Sequence, residues 1–110
     1  MTYKEVKQMI ESIGLPYAYR SFPINEAPAL PYIVFYYPDN DDFAADNCNY
    51  VPIANLNIEL YTENKDFATE ATVESVLENK RFFYSKTEAY LRTEEMYEVL
   101  YEVQLVIDKE

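Results

Sequence analysis

Apolar residues recur along the chain with two different periods, and the switches between them mark out the elements. Val6, Met9, Ile10 and Ile13 follow the i, i+3, i+4, i+7 spacing of one helical face. Thr2 and Glu5 ahead of them form a capping-box pattern. Gly14 is placed for a left-handed C-terminal cap, with Leu15 behind it and Pro16 barring continuation. Tyr17 to Phe22 alternates as a short strand does, and the proline-rich PINEAPALP after it reads as an extended connection. Tyr32 to Tyr37 is a nearly unbroken β-branched and aromatic run between Pro31 and Pro38, which predicts a strand covered on both faces at the centre of a sheet.

DNDDFAADNCN, mostly polar, then reads as a loop or a loosely paired hairpin tip. From Tyr50 to Tyr61, Ile53, Leu56, Ile58 and Leu60 alternate with Asn55, Asn57, Glu59 and Tyr61, giving one core face and one wet face, with Pro52 at the start or at a bulge. Asn64 or Asp66 is placed to cap a second helix to about Asn79, with Phe67, Ala71, Val73, Val76 and Leu77 as its apolar stripe. Phe82 to Leu91 and Tyr97 to Ile107 follow as two strands joined by the turn Arg92 to Glu95. In the last strand Tyr97, Val99, Tyr101, Val103, Leu105 and Ile107 oppose Glu98, Glu102 and Gln104.

The order α-β-β-β-α-β-β predicts an α+β fold: a mostly antiparallel sheet of about five strands with both helices on one face. The other face is then wet or covered by another molecule. Nothing along the chain marks a linker or a repeat, so residues 1–110 read as a single domain. With 49% hydrophobic residues, a single Gly and 6 Pro, the composition suits a packed core and not disorder.

Charge and aromatic content sharpen this picture. Twenty acidic against nine basic residues give a formal net charge of −11, which argues against adhesion to nucleic acid or to anionic lipid. Twelve Tyr and six Phe exceed what a small core needs. That surplus fits half-buried subunit contacts, or equally the plain preference of strands for aromatics. The absence of a membrane-length apolar run and of a signal-like N-terminus leads us to expect folding in a cytoplasm.

Catalytic and ligand-binding chemistry finds little support. Cys48 has no second Cys and the chain has no His, so a Cys–His dyad within one chain is excluded. Carboxylates cluster in Asp39, Asp41 and Asp42 and again at Glu94 and Glu95, with no residue beside them expected to tune a carboxylate for acid–base work. Asp39 and Asp41 share the first and third spacing of a calcium loop. Phe43, Ala44 and Tyr50 then stand where an oxygen ligand, the turn glycine and the closing Glu belong. Gly14, assigned to a helix end, leaves no glycine for a phosphate loop. No enzyme, cofactor or metal is expected.

TYKEVKQMIESIGLPYAYRSFP, PYIVFYYPDNDDFAADNCNY, ANLNIELYTENKDFATEATVESVLE and YEVLYEVQLVI, taken in order, resemble the tail terminator proteins of long-tailed phages and prophages of Gram-positive bacteria. The likeness spans nearly the whole chain, in an ordered set of short patterns. It implies a virion protein assembled in the host cytoplasm as a homohexameric ring at the head-proximal end of the tail tube. Such a ring stops tube growth and joins the tube to the head connector. Its partners would be further copies of itself, the tail-tube protein and a neck protein. An acidic interior would let DNA pass without sticking. The segment from Asp39 to Asn49, with Asp39, Asp41, Asp42, Phe43 and Asp46, becomes a candidate assembly loop that orders on contact with the tube or a neighbouring subunit. A related neck or minor tail component would share these patterns. The alternative from another class is a monomeric acidic module that mimics nucleic acid charge to block a basic partner.

Overall fold

The structure, a computed structural model, describes residues 1–40, 43–44 and 50–108. Helix α1 spans Tyr3–Ser12 and α2 spans Phe67–Asn79. The strands are β1 (Tyr17–Tyr19), β2 (Tyr32–Tyr36), β3 (Phe43–Ala44), β4 (Tyr50–Val51), β5 (Ile53–Thr62), β6 (Tyr84–Leu91) and β7 (Met96–Val106). Five of them form one sheet in the order β1-β2-β5-β7-β6, and β3 pairs with β4 in a separate ribbon. Every pairing in the main sheet is antiparallel except β1 with β2. The α+β class, the helix count and the sheet size agree with the sequence pattern.

Local chemistry explains the helix ends. The Thr2 side chain accepts from the Glu5 backbone N–H at 3.1 Å, and the Thr2 N–H donates to the Glu5 carboxylate at 2.8 Å, closing the capping box. At the other end Gly14 adopts φ +88°, in the left-handed region that a residue with a Cβ enters at a cost. Asp66 caps α2, accepting from the Thr69 N–H at 3.0 Å.

Both helices pack on one face of the sheet. Val6, Met9 and Ile10 of α1 and Val73 and Leu77 of α2 bury against Ile33, Phe35, Leu56, Ile58, Leu60, Val99, Tyr101 and Val103. The burial of β5 alternates along its whole length, as period-two patterning requires.

Four local expectations are corrected. The core face of β5 is continued by Ala54, 3% exposed, and not by Ile53, because Ile53 shares the parity of Asn55 and Asn57. Strand β2 is not central: β5 holds that place, paired with β2 on one side and β7 on the other. β2 reads as doubly covered because Val34, on the face away from the helices, lines a recess with Phe22 and Ala27 from the proline-rich connection. Burial there comes from a loop folded onto the sheet, which apolar content cannot tell from a central position. Strand β1 stops at Tyr19 and not at Phe22, because Arg20 turns the chain with φ 67°. The inner stripe of α2 is Glu70, Val73 and Leu77, while Phe67 is 72% exposed and Ala71 is exposed. The expected stripe placed Glu70 outside; two lysines from neighbouring segments draw it inward.

Candidate functional site

Among the described residues, no helix packs on the face of the sheet opposite α1 and α2, and the connection after β1 covers it beside Val34. Register places on it Tyr32, Val34 and Tyr36 of β2, Asn55, Asn57, Glu59 and Tyr61 of β5, and Glu98, Leu100, Glu102 and Gln104 of β7. Sequence alternation had already set the β5 residues and Glu98, Glu102 and Gln104 on a wet face, and Leu100 joins them through the register. Their neighbours across strands follow only from the pairing.

Those neighbours form a hydrogen-bonded ladder. The Tyr36 hydroxyl donates to Glu59 Oε2 at 2.9 Å and accepts from Asn57 Nδ2 at 3.4 Å. The Tyr61 hydroxyl lies 2.7 Å from Glu59 Oε1 and 2.8 Å from Glu98 Oε2, so one phenolic hydrogen sits between two carboxylates. Burial, then the hydrogen bonds to Glu59 and Glu98, hold the Tyr61 phenol far above its ordinary value of 10.0. For Tyr36, the bond from Asn57 pulls the other way, but burial and Glu59 outweigh it and leave that phenol raised too. The Arg20 guanidinium stacks 4.9 Å from the Tyr36 ring centroid.

The ladder separates two open recesses. One, of about 330 Å³, is mainly apolar and aromatic, lined by Phe22, Tyr32, Val34, Tyr61, Leu91 and Met96, with Arg20, Ser21 and Glu94 also on its wall. The other, of about 540 Å³, is polar, lined by Asp39, Asn55, Asn57, Glu102 and Gln104 among others. Gln104 Nε2 donates to Asn55 Oδ1 at 3.0 Å, and Asn55 Nδ2 donates to Asp39 Oδ1 at 2.6 Å. The face is therefore acidic, recessed on either side of the ladder and tied together by its own cross-strand bonds. Asp39, Glu59 and Glu98 are engaged there as hydrogen-bond acceptors, an arrangement suited to presenting a surface.

Of the candidate assembly loop, Asp41, Asp42 and Asp46 lie outside the described residues. Asp39 stands at the rim of the open face, its carbonyl accepting from the Asn55 N–H at 3.3 Å. Phe43 belongs to β3, in the ribbon with β4, as the hairpin-tip reading anticipates. Asp39 thus lies in the connection after β2, and Phe43 in β3. The Glu59–Tyr61–Glu98 group went unrecognised in the sequence, since Tyr61 and Glu98 are 37 positions apart.

A second charged group lies on the helix side. Glu70 is 1% exposed, with its carboxylate oxygens 2.6 Å from Lys65 Nζ and 2.9 Å from Lys86 Nζ. Lys86 also pairs with Glu74 at 2.6 Å, Lys65 with Glu88, and the Tyr101 hydroxyl donates to Glu74 at 2.8 Å. This group ties α2 to β6 and β7.

No family model matches the chain, and no curated protein matches it. Among solved structures, the fold is similar to that of a chain in the virion of a native gene transfer agent particle. The TM-score is 0.63 over 93% of this chain and 87% of that one, at 14% identity. The likeness runs nearly end to end in both chains, and at this identity it shows a shared fold.

Proposed function

We propose that this chain is a structural subunit of a phage-type tail, and within that class the tail terminator: a homohexameric ring that caps the tail tube, stops its elongation and joins it to the head connector. The observation that carries this reading is the nearly complete fold likeness to a chain of a virion particle. The residue patterns that resemble tail terminators, running from Thr2 to Ile107, point the same way.

The open face supports a role in assembly. A surface bearing Glu59, Glu98 and Glu102, tied together by the tyrosine ladder, suits either contact with a neighbouring protein or the wall of a channel through which DNA slides, since like charge prevents adhesion. Asp39 to Asn49 serves in this reading as the loop that meets the tube or the next subunit.

Light scattering across a concentration series, alone and with the matching tail-tube protein, tests the proposal. A hexamer in either condition is the expected result. A monomer that the tube leaves unchanged would overturn it. Salt-sensitive binding of that monomer to a basic protein would instead establish the acidic charge-mimic.

A further inference from the structure

The two edges of the main sheet carry features of opposite shape. Beside β1, a groove of about 470 Å³ runs between that strand and α1, lined by Tyr3, Lys7, Tyr17, Tyr19, Phe35 and Tyr37. Its rings support one another edge to face, with centroids 5.2 Å apart for Tyr3 and Tyr37 and 5.3 Å apart for Tyr19 and Phe35. Tyr3 and Tyr19 are about half exposed, at 48% and 50%. At the β6 edge, Arg81 turns the chain out of α2 with φ 62°. Phe82 then packs against the core, and Phe83 projects into solvent at 94% exposure. A fully exposed phenylalanine and a half-open aromatic groove each leave apolar surface in water, a cost that burial against a partner would remove.

We infer that these are the two halves of one contact between copies of this chain, Phe83 of one subunit seating in the tyrosine groove of the next. The inference rests on the ring reading above and assigns its subunit interface. Three observations favour a second copy as the occupant. First, β1 and β6 are opposite edges of a five-stranded sheet, roughly 19 Å apart at the usual strand spacing, so joining them is head-to-tail and not two-fold. A head-to-tail contact is the kind that closes into a ring when its rotation is fixed. Second, the charges alternate in a complementary way. Lys7 lines the groove and Glu11, which accepts from the Tyr17 hydroxyl at 2.7 Å, stands at its rim. On the projecting side Glu78, bonded to the Tyr84 hydroxyl at 2.9 Å, and Arg81 flank Phe83, so each side offers one positive and one negative group to the other. Third, among the described residues each edge strand pairs on one side only, and apposing the edges shields both from unrelated strands.

The test uses the full chain, with tail-tube protein present if the ring requires it. Cysteines introduced as Lys7→Cys with Lys80→Cys, in a Cys48→Ser background, keep Phe83 in place and should give under oxidised glutathione a ladder of thiol-reducible covalent oligomers. Phe83→Asp should weaken assembly about 30-fold or more per contact, as expected for a buried aromatic anchor. Its thermal unfolding as a monomer should stay unchanged, because the side chain it replaces is exposed. Rings that form normally with Phe83→Asp and give no ladder would overturn this interface and leave the ring reading standing. A parent chain that never assembles, with or without the tube, would overturn both.

Discussion

A carboxylate taken out of water is held in place by what surrounds it, and Glu70 shows how much of this molecule's electrostatics turns on one side chain. Burial alone would raise its carboxyl above the ordinary 4.5, but the hydrogen bonds from Lys65 and Lys86 more than offset this and hold it below. Both lysines keep part of their side chains in water, at 25% and 35% exposure, and each has a second carboxylate, so losing Glu70 strands neither. Glu70→Gln, which keeps the shape and removes the charge, should therefore cost about 1–3 kcal/mol at neutral pH, in the range for charge-assisted hydrogen bonds. Because the folded pKa is lowered, this stabilisation is complete above 4.5 and is lost as pH falls through the folded value. Urea unfolding of both proteins at neutral and at acidic pH checks this, and the gap between them should shrink in acid. A gap that stays constant would mean that the charge is not its source. The sequence shows Glu70 only as one acid among many. Its companions Lys65 and Lys86 come from different segments, so nothing in the helical period marks it as buried.

At the scale of elements, the ends of α1 are written locally and are correspondingly legible. Thr2, Glu5 and Gly14 act within a few residues of themselves, and the structure finds all three in their expected roles. A Cβ added at Gly14 would meet no atom within 4 Å, so substitution there is resisted by backbone conformation and not by crowding. Gly14→Ala should accordingly lose about 1 kcal/mol, and Gly14→Asn less, since Asn tolerates the left-handed region better. Parallel denaturant curves of the two variants give the comparison, and equal losses would point to some other cause. The stripe of α2 was less legible. Its apolar residues are few, and Phe67, placed in the first turn, points away from the sheet with the Lys65 ammonium 4.7 Å from its ring centroid.

Taken whole, the molecule concentrates its tyrosines where they are half in and half out of water. The Tyr37 phenol is pushed up to about 12 by burial and by its neighbours Tyr3 and Tyr19. Tyr101, buried against the core with its hydroxyl on Glu74, and Tyr61 on the open face are raised further still. A raised folded pKa stabilises the native state fully below the ordinary value of 10.0, and that contribution is lost as pH rises through the folded values. Near-ultraviolet titration should therefore show the exposed tyrosines ionising first. Tyr37, Tyr61 and Tyr101 should ionise only later, as circular dichroism reports unfolding. A single transition at the ordinary value for all twelve tyrosines would contradict the burial described.

The sequence by itself determined both helices and the long strands, which face of β5 and of β7 is mainly apolar, and that the chain is strongly acidic. These properties depend on period, caps and composition, each readable within a short window. Tertiary structure decided what stands beside what. It put β5 and not β2 at the centre, made β1 parallel to β2, set Tyr61 between Glu59 and Glu98, and drew Glu70 under α2. The reason is that alternation along a strand specifies a face but not a neighbour. Neighbours come from pairing between segments distant in the chain, and register is set by how the entire core packs.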